Sequence, residues 1–554
     1  MKQPTTHRLG EALVATGQLD PDHLRIALQA QSQTRKRLGS LLASLDFSDE
    51  KSIWDALAAQ YALPRFDPQQ DIPSSAALAC MPPDEITRLG VLPIAFSENP
   101  RSLRIACTGE GLQGLRATLQ QCLPDIGKLD FVLASEGEIE TALRRHAGPR
   151  LSIEHLLPAL EQRGQNPLTL DDAPAVQLLD AILSDATHRG ASDIHLEPEQ
   201  ASLRIRYRID GILHPIRILN KTAWPMLCGR IKVMSGMNIA ETRAPQDGHI
   251  GQRIGGRMID FRVASQPTLH GENIVIRLLD RHKGIVPLTK LGLRPDLLNT
   301  LRRMMQRPEG LLLVAGPTGC GKTTTLYSML SALNRPQVHI MTLEDPVEYP
   351  IPLIRQTSLS DNIKLEFASG VRSMLRQDPD ILLIGEIRDA DTAAMALRAA
   401  LTGHQVHATL HASNAFGALY RLRELGIPLT HLQGNLIGIL AQRLLRQLCP
   451  HCKRPQPADA ETQQRFGDGE IFMAVGCPAC GGQGYLGRMA IAEVLRIDPA
   501  LDDLLAANAS PRQLRECASR HGFTTLLHDG LERVRSGDTS LAELARVLDL
   551  DGPL

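Results

Sequence analysis

The run Gly316-Pro317-Thr318-Gly319-Cys320-Gly321-Lys322-Thr323, directly after the apolar Leu311–Ala315, constrains this chain more than any other feature. It satisfies G-x-x-x-x-G-K-[ST] at every position, with a strand-like run before it and a helix-like run, Thr324 to Leu330, behind it. Such a loop turns backbone N–H groups onto phosphate oxygens at a helix N-terminus, where the dipole favours anions. The alternative is a glycine turn between strand and helix; two correct flanks favour the nucleotide. Gly316 to Thr324 are therefore expected to hold a nucleoside triphosphate, with Lys322 on the β- and γ-phosphates and Thr323 on Mg²⁺.

Hydrolysis needs carboxylates as well. Leu343-Glu344-Asp345-Pro346-Val347-Glu348 follows the strand-like Val338–Leu343, and Ile381–Ile384 runs into Gly385-Glu386. Ligands sit at strand ends of a parallel sheet, and a carboxylate there holds Mg²⁺ or orients the attacking water. Glu344 and Asp345 are expected near the nucleotide, and Glu348 and Glu386 to act in catalysis. The division of labour between the last two stays open; Glu348 is read as polarising water and Glu386 as holding the metal. Thr402 to His411 places three histidines, His404, His407 and His411, within eight residues. No carboxylate or Cys joins them at ligand spacing, so His411 is read as sensing the γ-phosphate rather than a metal.

The bulk numbers exclude other classes. With 554 residues the chain exceeds one core. Lys+Arg 60 against Asp+Glu 61 leaves a net charge of −1, so no nucleic-acid partner is expected. No apolar h-region opens Met1 to Gly10 and no run reaches membrane-span length. The expectation is a cytoplasmic protein that reaches any membrane only through protein partners, with its six scattered cysteines as buried thiols.

The other four of the ten cysteines form two C-x-x-C pairs, Cys449/Cys452 and Cys477/Cys480, with 24 residues between them. Two such knuckles supply four thiolates for a closed tetrahedral zinc site; redox pairs are the competing reading.

The chain reads as an α/β multidomain protein. Residues 1–147 form an N-terminal domain, helical over 1–67 and a small α/β piece over 68–147. A linker spans 148–174 and a middle α/β domain 175–285. Residues 286–554 alternate buried strands with helices, with the zinc subdomain at 445–495 and small helices over 496–554. The helical part repeats itself at an offset of 29: Arg8-Leu9-Gly10, Leu24, Leu28 and Gln31, then Arg37-Leu38-Gly39, Ile53, Leu57 and Gln60.

Gly316–Thr323, Glu344–Glu348, Ile381–Glu386 and Thr402–His411 resemble the Walker A, Asp box, Walker B and His box of the type II secretion and type IV pilus assembly ATPases. The resemblance implies a homo-hexameric motor with a RecA-like P-loop core, preceded by a PAS-like middle domain. Its Arg262 and Arg277, separated by 15 positions, would contact the nucleotide phosphates. It also implies an inner-membrane platform protein and a membrane-bound assembly protein as partners. The tetrad fits the secretion and extension members; retraction motors usually lack it. Pilus and secretion pseudopilus stay undecided, as do a nucleic-acid translocase and a second-messenger sensor with a vestigial ATPase as competing readings.

The N-terminal repeat resembles a domain that binds cyclic di-GMP, which would engage Arg8, Leu9, Gly10, Leu24, Leu28, Gln31, Arg37, Leu38, Gly39, Ile53, Leu57 and Gln60. A helical docking domain for a membrane-bound partner is the alternative. The chain departs from the family patterns at Cys320, where relatives have Ser, at His411-Ala412-Ser413-Asn414-Ala415 in the His box, and in the second repeat at Leu45-Asp46, where the first has Thr16-Gly17, and at Ile53, where the first has Leu24.

Overall fold

The computed structural model describes residues 9–34, 37–45, 47–68, 70–109, 111–146, 173–254, 257–280, 285–359, 366–457, 463 and 470–550. Arg8, Asp46 and residues 148–172 of the expected linker lie outside the described residues. The chain divides into two compact units, residues 1–282 and 283–554.

In the first unit the sequence repeat forms two successive helix pairs, α1 (Leu9–Ala15) with α2 (Pro21–Thr34) and α3 (Leu38–Ser44) with α4 (Glu50–Tyr61). The repeat glycines serve close packing between the copies. A Cβ on Gly10 would collide with Leu24 and lie 3.3 Å from Leu38; one on Gly39 would lie 3.2 Å from Ile53 and 3.3 Å from Leu9. Leu9, Leu24, Leu38, Ile53 and Leu57 thus belong to one small core with Leu13 and Leu42. Leu28, Arg37 and Gln60 are exposed, and Gln31 is half-buried.

The small α/β piece comprises α5 (Ser75–Ala79), α6 (Pro83–Leu89), β1 (Leu92–Glu98), β2 (Arg101–Cys107), α7 (Leu112–Cys122), β3 (Lys128–Leu133) and α8 (Glu136–His146). Its sheet order is β1-β2-β3, antiparallel then parallel.

The middle region opens with α9 (Ala173–His188) and builds an antiparallel sheet from β4 (Asp193–Pro198), β5 (Ser202–Ile209), β6 (Ile212–Asn220), β7 (Gln246–Ile254), β8 (Arg257–Thr268) and β9 (Gly271–Asp280). The strand order is β6-β5-β4-β9-β8-β7. Period-2 alternation sorts β5 cleanly: Leu203, Ile205 and Tyr207 are buried, and Arg204, Arg206 and Arg208 face the other way. The apolar face packs on α9 and α10 (Trp224–Ser235). Lys232 is buried in that core and is held by Glu272 at 2.6 Å and by the Glu241 carbonyl at 2.6 Å, as a buried charge requires.

The second unit starts with α11 (Pro295–Met305) and carries a seven-stranded sheet, ordered β12-β11-β13-β14-β10-β15-β18. The strands and helices alternate: β10 (Gly310–Ala315), α12 (Lys322–Leu333), β11 (Ile340–Glu344), β12 (Arg355–Ser358), α13 (Phe367–Met374), β13 (Ile381–Ile384), α14 (Ala390–Leu401), β14 (Gln405–Leu410), α15 (Ala415–Glu424) and β15 (Leu436–Leu448). These strands pair in parallel, and β18 (Tyr485–Arg496) closes the edge antiparallel to β15. Cores fill both faces of the sheet. Leu311, Leu313 and Ala315 pack on one side and Leu312 and Val314 on the other, which is why β10 reads as an unbroken apolar run. Between β15 and β18 lies a two-stranded ribbon of β16 (Arg454–Pro457) and β17 (Glu470–Met473). Helices α16 (Pro499–Ala506), α17 (Pro511–Arg520), α18 (Leu526–Arg535) and α19 (Leu541–Val547) follow. The strand expected to end at Leu343 includes Glu344, which places that carboxylate inside the sheet.

Candidate functional site

β10 delivers Gly316 to the carboxyl end of the sheet, and the loop closes on Lys322, the first residue of α12. Gly319 and Gly321 hold φ of 77° and 88°, the left-handed region that only glycine enters freely. At Gly316 space decides, because a Cβ would collide with Cys320 Sγ and lie 2.8 Å from the Gln442 carbonyl. Pro317, Thr318, Gly319 and Thr323 are exposed, and Thr324 is half-buried. The Cys320 thiol turns inward, where burial pushes its pKa up, so its backbone alone serves the loop. Lys322 Nζ donates to the carbonyls of Gly316 at 2.9 Å and Pro317 at 3.0 Å, which holds the ammonium over the loop. Burial lowers its pKa, opposed by the nearby Glu386.

Gln442 of β15 braces the loop from below. Its Nε2 donates 2.7 Å to the Cys320 carbonyl, and its Oε1 accepts from Thr325 at 2.8 Å. Next to it, Arg443 donates 2.5 Å to the Ser413 carbonyl, tying β15 to the segment after His411.

The neighbouring strands β13 and β14 end in the acidic and histidine groups. His411 Nε2 lies 2.9 Å from Glu386 Oε1, while Arg388 Nε donates 2.7 Å to Glu386 Oε2. Arg388 Nη1 also reaches Asp345 Oδ2 at 3.2 Å, so one guanidinium joins the ends of β11 and β13. Lys322, Glu386, His411 and Asp345 all stand at the carboxyl end of the sheet.

Glu344 does not join them. It is buried, and its carboxylate accepts from the Tyr327 hydroxyl, from Thr342 at 2.5 Å and from Gln356 at 3.2 Å. Burial raises its pKa and the three donors act against that rise. The Glu348 N–H in turn donates to the Tyr327 hydroxyl at 3.4 Å, so the loop bearing Glu348 rests on this cluster.

The three histidines are spread along β14 instead of converging. His404 starts beyond its far end, its Nδ1 3.0 Å from the Ala399 carbonyl, and His407 is fully buried mid-strand. Sequence reading gave no role to Arg388, Tyr327 or Gln442. Arg388 stands two positions after Glu386, a spacing that returns a long side chain to the same strand end. Gln442 is 117 residues from Thr325 and leaves no local signal.

In the first unit, Arg262 and Arg277 are directly opposed across β8 and β9, so their 15-residue separation is the register of that hairpin. Arg277 Nε lies 3.1 Å from Asp193 Oδ1.

The four cysteine sulfurs all lie within 4.8 Å of one another, and they are the only such metal-capable group among the described residues. Cys449–Cys477, Cys452–Cys480 and Cys477–Cys480 are each 3.8 Å apart. That is the edge of a tetrahedron with Zn–S bonds of about 2.3 Å, and far from a disulfide bond of about 2.05 Å. Backbone N–H groups of Gly476 and Gly484 donate to Cys452 and Cys480 at 3.3 Å and 3.1 Å, which suits thiolates.

A phosphate loop on an inner strand of a mostly parallel sheet, with Glu386 and His411 at neighbouring strand ends, defines a RecA-like P-loop ATPase. The chain belongs to the type II/IV secretion system protein family, whose profile matches residues 169–546. An MshEN domain profile matches residues 61–153, beginning at the last residue of α4. Type II secretion system ATPase E of Vibrio cholerae is 45% identical over 68% of this chain and 76% of its own length. Type IV pilus assembly ATPase PilB of Myxococcus xanthus is 37% identical over 97% of this chain and 98% of its own. The X-ray structure of the Legionella pneumophila ATPase DotB shares the fold, with a TM-score of 0.52 at 22% identity over 67% of this chain and 94% of that one.

Proposed function

We infer that this chain is a hexameric motor that hydrolyses ATP to power assembly of a type II secretion pseudopilus or a type IV pilus at the inner membrane. The observation that carries the reading is the convergence of Lys322, Glu386 and His411 at adjoining strand ends in a chain that also bears the cysteine tetrad. Lys322 and Thr323 would hold the triphosphate and its Mg²⁺, and Glu348 and Glu386 would divide water activation and metal binding between them. Arg262 and Arg277 would neutralise charge on the transferring phosphoryl group. A bound zinc would fix the ribbon between β15 and β18 as a closed structural site. The partners would be a membrane platform protein and the cytoplasmic part of a membrane-bound assembly protein.

Cyclic di-GMP regulation would use Arg8, Leu28, Gln31, Arg37 and Gln60 together with Leu9, Gly10, Leu24, Leu38, Gly39, Ile53 and Leu57, which also pack the two helix pairs. Arg pairs with phosphate or stacks on guanine.

The purified full-length chain is expected to hydrolyse ATP and to lose that activity in Lys322→Ala. A deletion strain scored for surface pili and for secreted enzymes identifies the assembly; loss of neither would sink the motor reading. Calorimetric titration with cyclic di-GMP should give micromolar or tighter binding that Arg37→Ala abolishes. Absence of binding would leave the repeat as a docking domain.

A further inference from the structure

The turn His411 to Asn414 carries the chain from the end of β14 to the start of α15. His411 opens this turn, and its side chain is 46% exposed. A functional side chain on a short turn keeps its place only where rigid elements engage the surrounding backbone. Here Asn414 Oδ1 accepts from the Gly417 N–H at 2.7 Å, as an N-cap does. The Ser413 carbonyl accepts from Arg443 Nη2 at 2.5 Å, and the Ala415 N–H donates 2.6 Å to Glu493 Oε1.

The cap is local, whereas Arg443 and Glu493 come from the antiparallel pair β15 and β18. Glu493 stands opposite Ala441, two residues before Arg443. Residues two apart on a strand share a face, so Arg443 and Glu493 are diagonal neighbours on one side of the ladder. Glu493 is buried and Arg443 half-buried.

Both charges are turned onto backbone groups. Among the described residues Arg443 pairs with no carboxylate; besides Ser413, it donates from Nη1 to the Gln442 carbonyl at 2.8 Å. Glu493 Oε2 accepts from the Leu526 N–H at 2.9 Å, so its two oxygens hold the first residues of α15 and α18. Burial pushes the Glu493 pKa up; the two N–H donors and the nearby Arg443 and Arg515 act against that rise. Charge-assisted hydrogen bonds are roughly twice as strong as neutral ones, so these two side chains fix the turn more firmly than neutral partners would.

Arg443 also reaches the phosphate loop. A Cβ on Gly316 would lie 3.3 Å from Arg443 Nη1. One guanidinium therefore packs on the first glycine of that loop and holds the carbonyl two residues after His411. The ladder between β10 and β14 ends at Ala315 and Leu410, one residue short of both groups. Beyond that point Arg443 links them directly.

We propose that Arg443 and Glu493 are positioning residues that hold the turn 411–415 so that His411 meets Glu386 level with the phosphate loop. The inference rests on the reading in which His411 acts during turnover.

The test is a double-mutant cycle in the full-length chain, with His411→Ala, Arg443→Gln and the two combined, by steady-state ATP hydrolysis and thermal unfolding. Arg443→Gln should lower kcat about 10- to 100-fold, the scale of a displaced catalytic group, with KM for ATP held within about threefold. In the His411→Ala background the same substitution should change kcat by less than about twofold, because no side chain is left to position. Equal-fold losses in both backgrounds overturn the proposal, since a general effect on the fold multiplies through. Wild-type turnover in Arg443→Gln, beside an impaired His411→Ala, overturns it as well and leaves the His411 reading standing. Wild-type turnover in His411→Ala defeats that reading and the present one with it. Arg443→Lys keeps the charge and one donor for Ser413; it should recover part of the loss, and it carries the cycle if Arg443→Gln unfolds. Glu493→Gln leaves one acceptor for two N–H groups and should show the same dependence on His411. A Glu493→Gln loss that persists undiminished without His411 removes Glu493 from the positioning role.

Discussion

His411 Nε2 and Glu386 Oε1 stand 2.9 Å apart at the ends of two neighbouring parallel strands, with Arg388 on the other carboxylate oxygen. Glu386 is thus oriented from both sides before any metal arrives, whereas Glu348 rides on a loop supported by the Tyr327 hydroxyl. If Glu386 holds Mg²⁺, Glu386→Gln should cut turnover by roughly 100-fold or more and raise the Mg²⁺ concentration needed for half-maximal rate. Glu348→Gln should cut turnover with an unchanged Mg²⁺ requirement. Magnesium titrations of the two variants decide it, and the reverse pattern would exchange the two roles.

Tyr327→Phe removes one hydroxyl from a buried cluster in which Glu344 has three donors. Thr342 and Gln356 remain, so the chain should still fold, destabilised by about 1.5 to 3 kcal/mol for a hydrogen bond to a charged group. The Glu348 N–H loses its acceptor at the same time. We expect turnover to fall about tenfold while ATP-analogue affinity stays within threefold, measured by kinetics and by fluorescence titration. Equal losses in affinity and turnover would remove Tyr327 from any positioning role.

Much of this was legible in the sequence because the informative groups are local. Gly316 to Thr323 fixes loop, strand end and helix start within one short stretch, and the C-x-x-C spacing fixes each half of the tetrad. The alternation of β5 announces a two-faced strand in the same way. What stayed hidden depends on register between distant strands. Nothing near Arg208 indicates that Asp193 and Arg277 lie level with it, and nothing near Cys320 indicates Gln442. Glu344 shows the opposite failure: an acidic residue in an acidic motif is expected in solvent or on a ligand. One extra strand residue carried it into the sheet, onto Tyr327. The repeat glycines Gly10 and Gly39 fit a ligand-binding pattern, and close packing between the copies adds a second demand, since a Cβ on either would lie 3.3 Å from Leu38 or Leu9.

The tetrad should hold one zinc per chain, and removing it should loosen a defined region. Leu448 N–H donates 2.8 Å to the Asp538 carbonyl and Lys453 Nζ 2.7 Å to the Gly537 carbonyl, so the knuckle is tied to the turn after α18. A structural metal contributes folding free energy directly. Chelation, or Cys480→Ser, should raise amide exchange over 449–484 and near 537 while β10 and α12 stay protected. Metal analysis together with hydrogen exchange checks this; full protection after complete zinc removal would make the site dispensable.

His407 supplies a pH test independent of the nucleotide. It is fully buried in β14, neither ring nitrogen has a hydrogen-bond partner among the described residues, and burial pushes its pKa down to about 4. Above about pH 6.5 both folded and unfolded chains carry it neutral, so it contributes no pH dependence. Between about 6.5 and 4 the unfolded chain binds a proton that the folded chain refuses, so stability falls as pH falls, by up to roughly 3 kcal/mol. His407→Leu keeps an apolar group of similar size in the core and removes the titrating ring. Its unfolding midpoint should therefore lose less than that of the wild type on going from pH 7 to pH 5. Parallel curves for the two proteins over that range would place the acid sensitivity elsewhere in the fold.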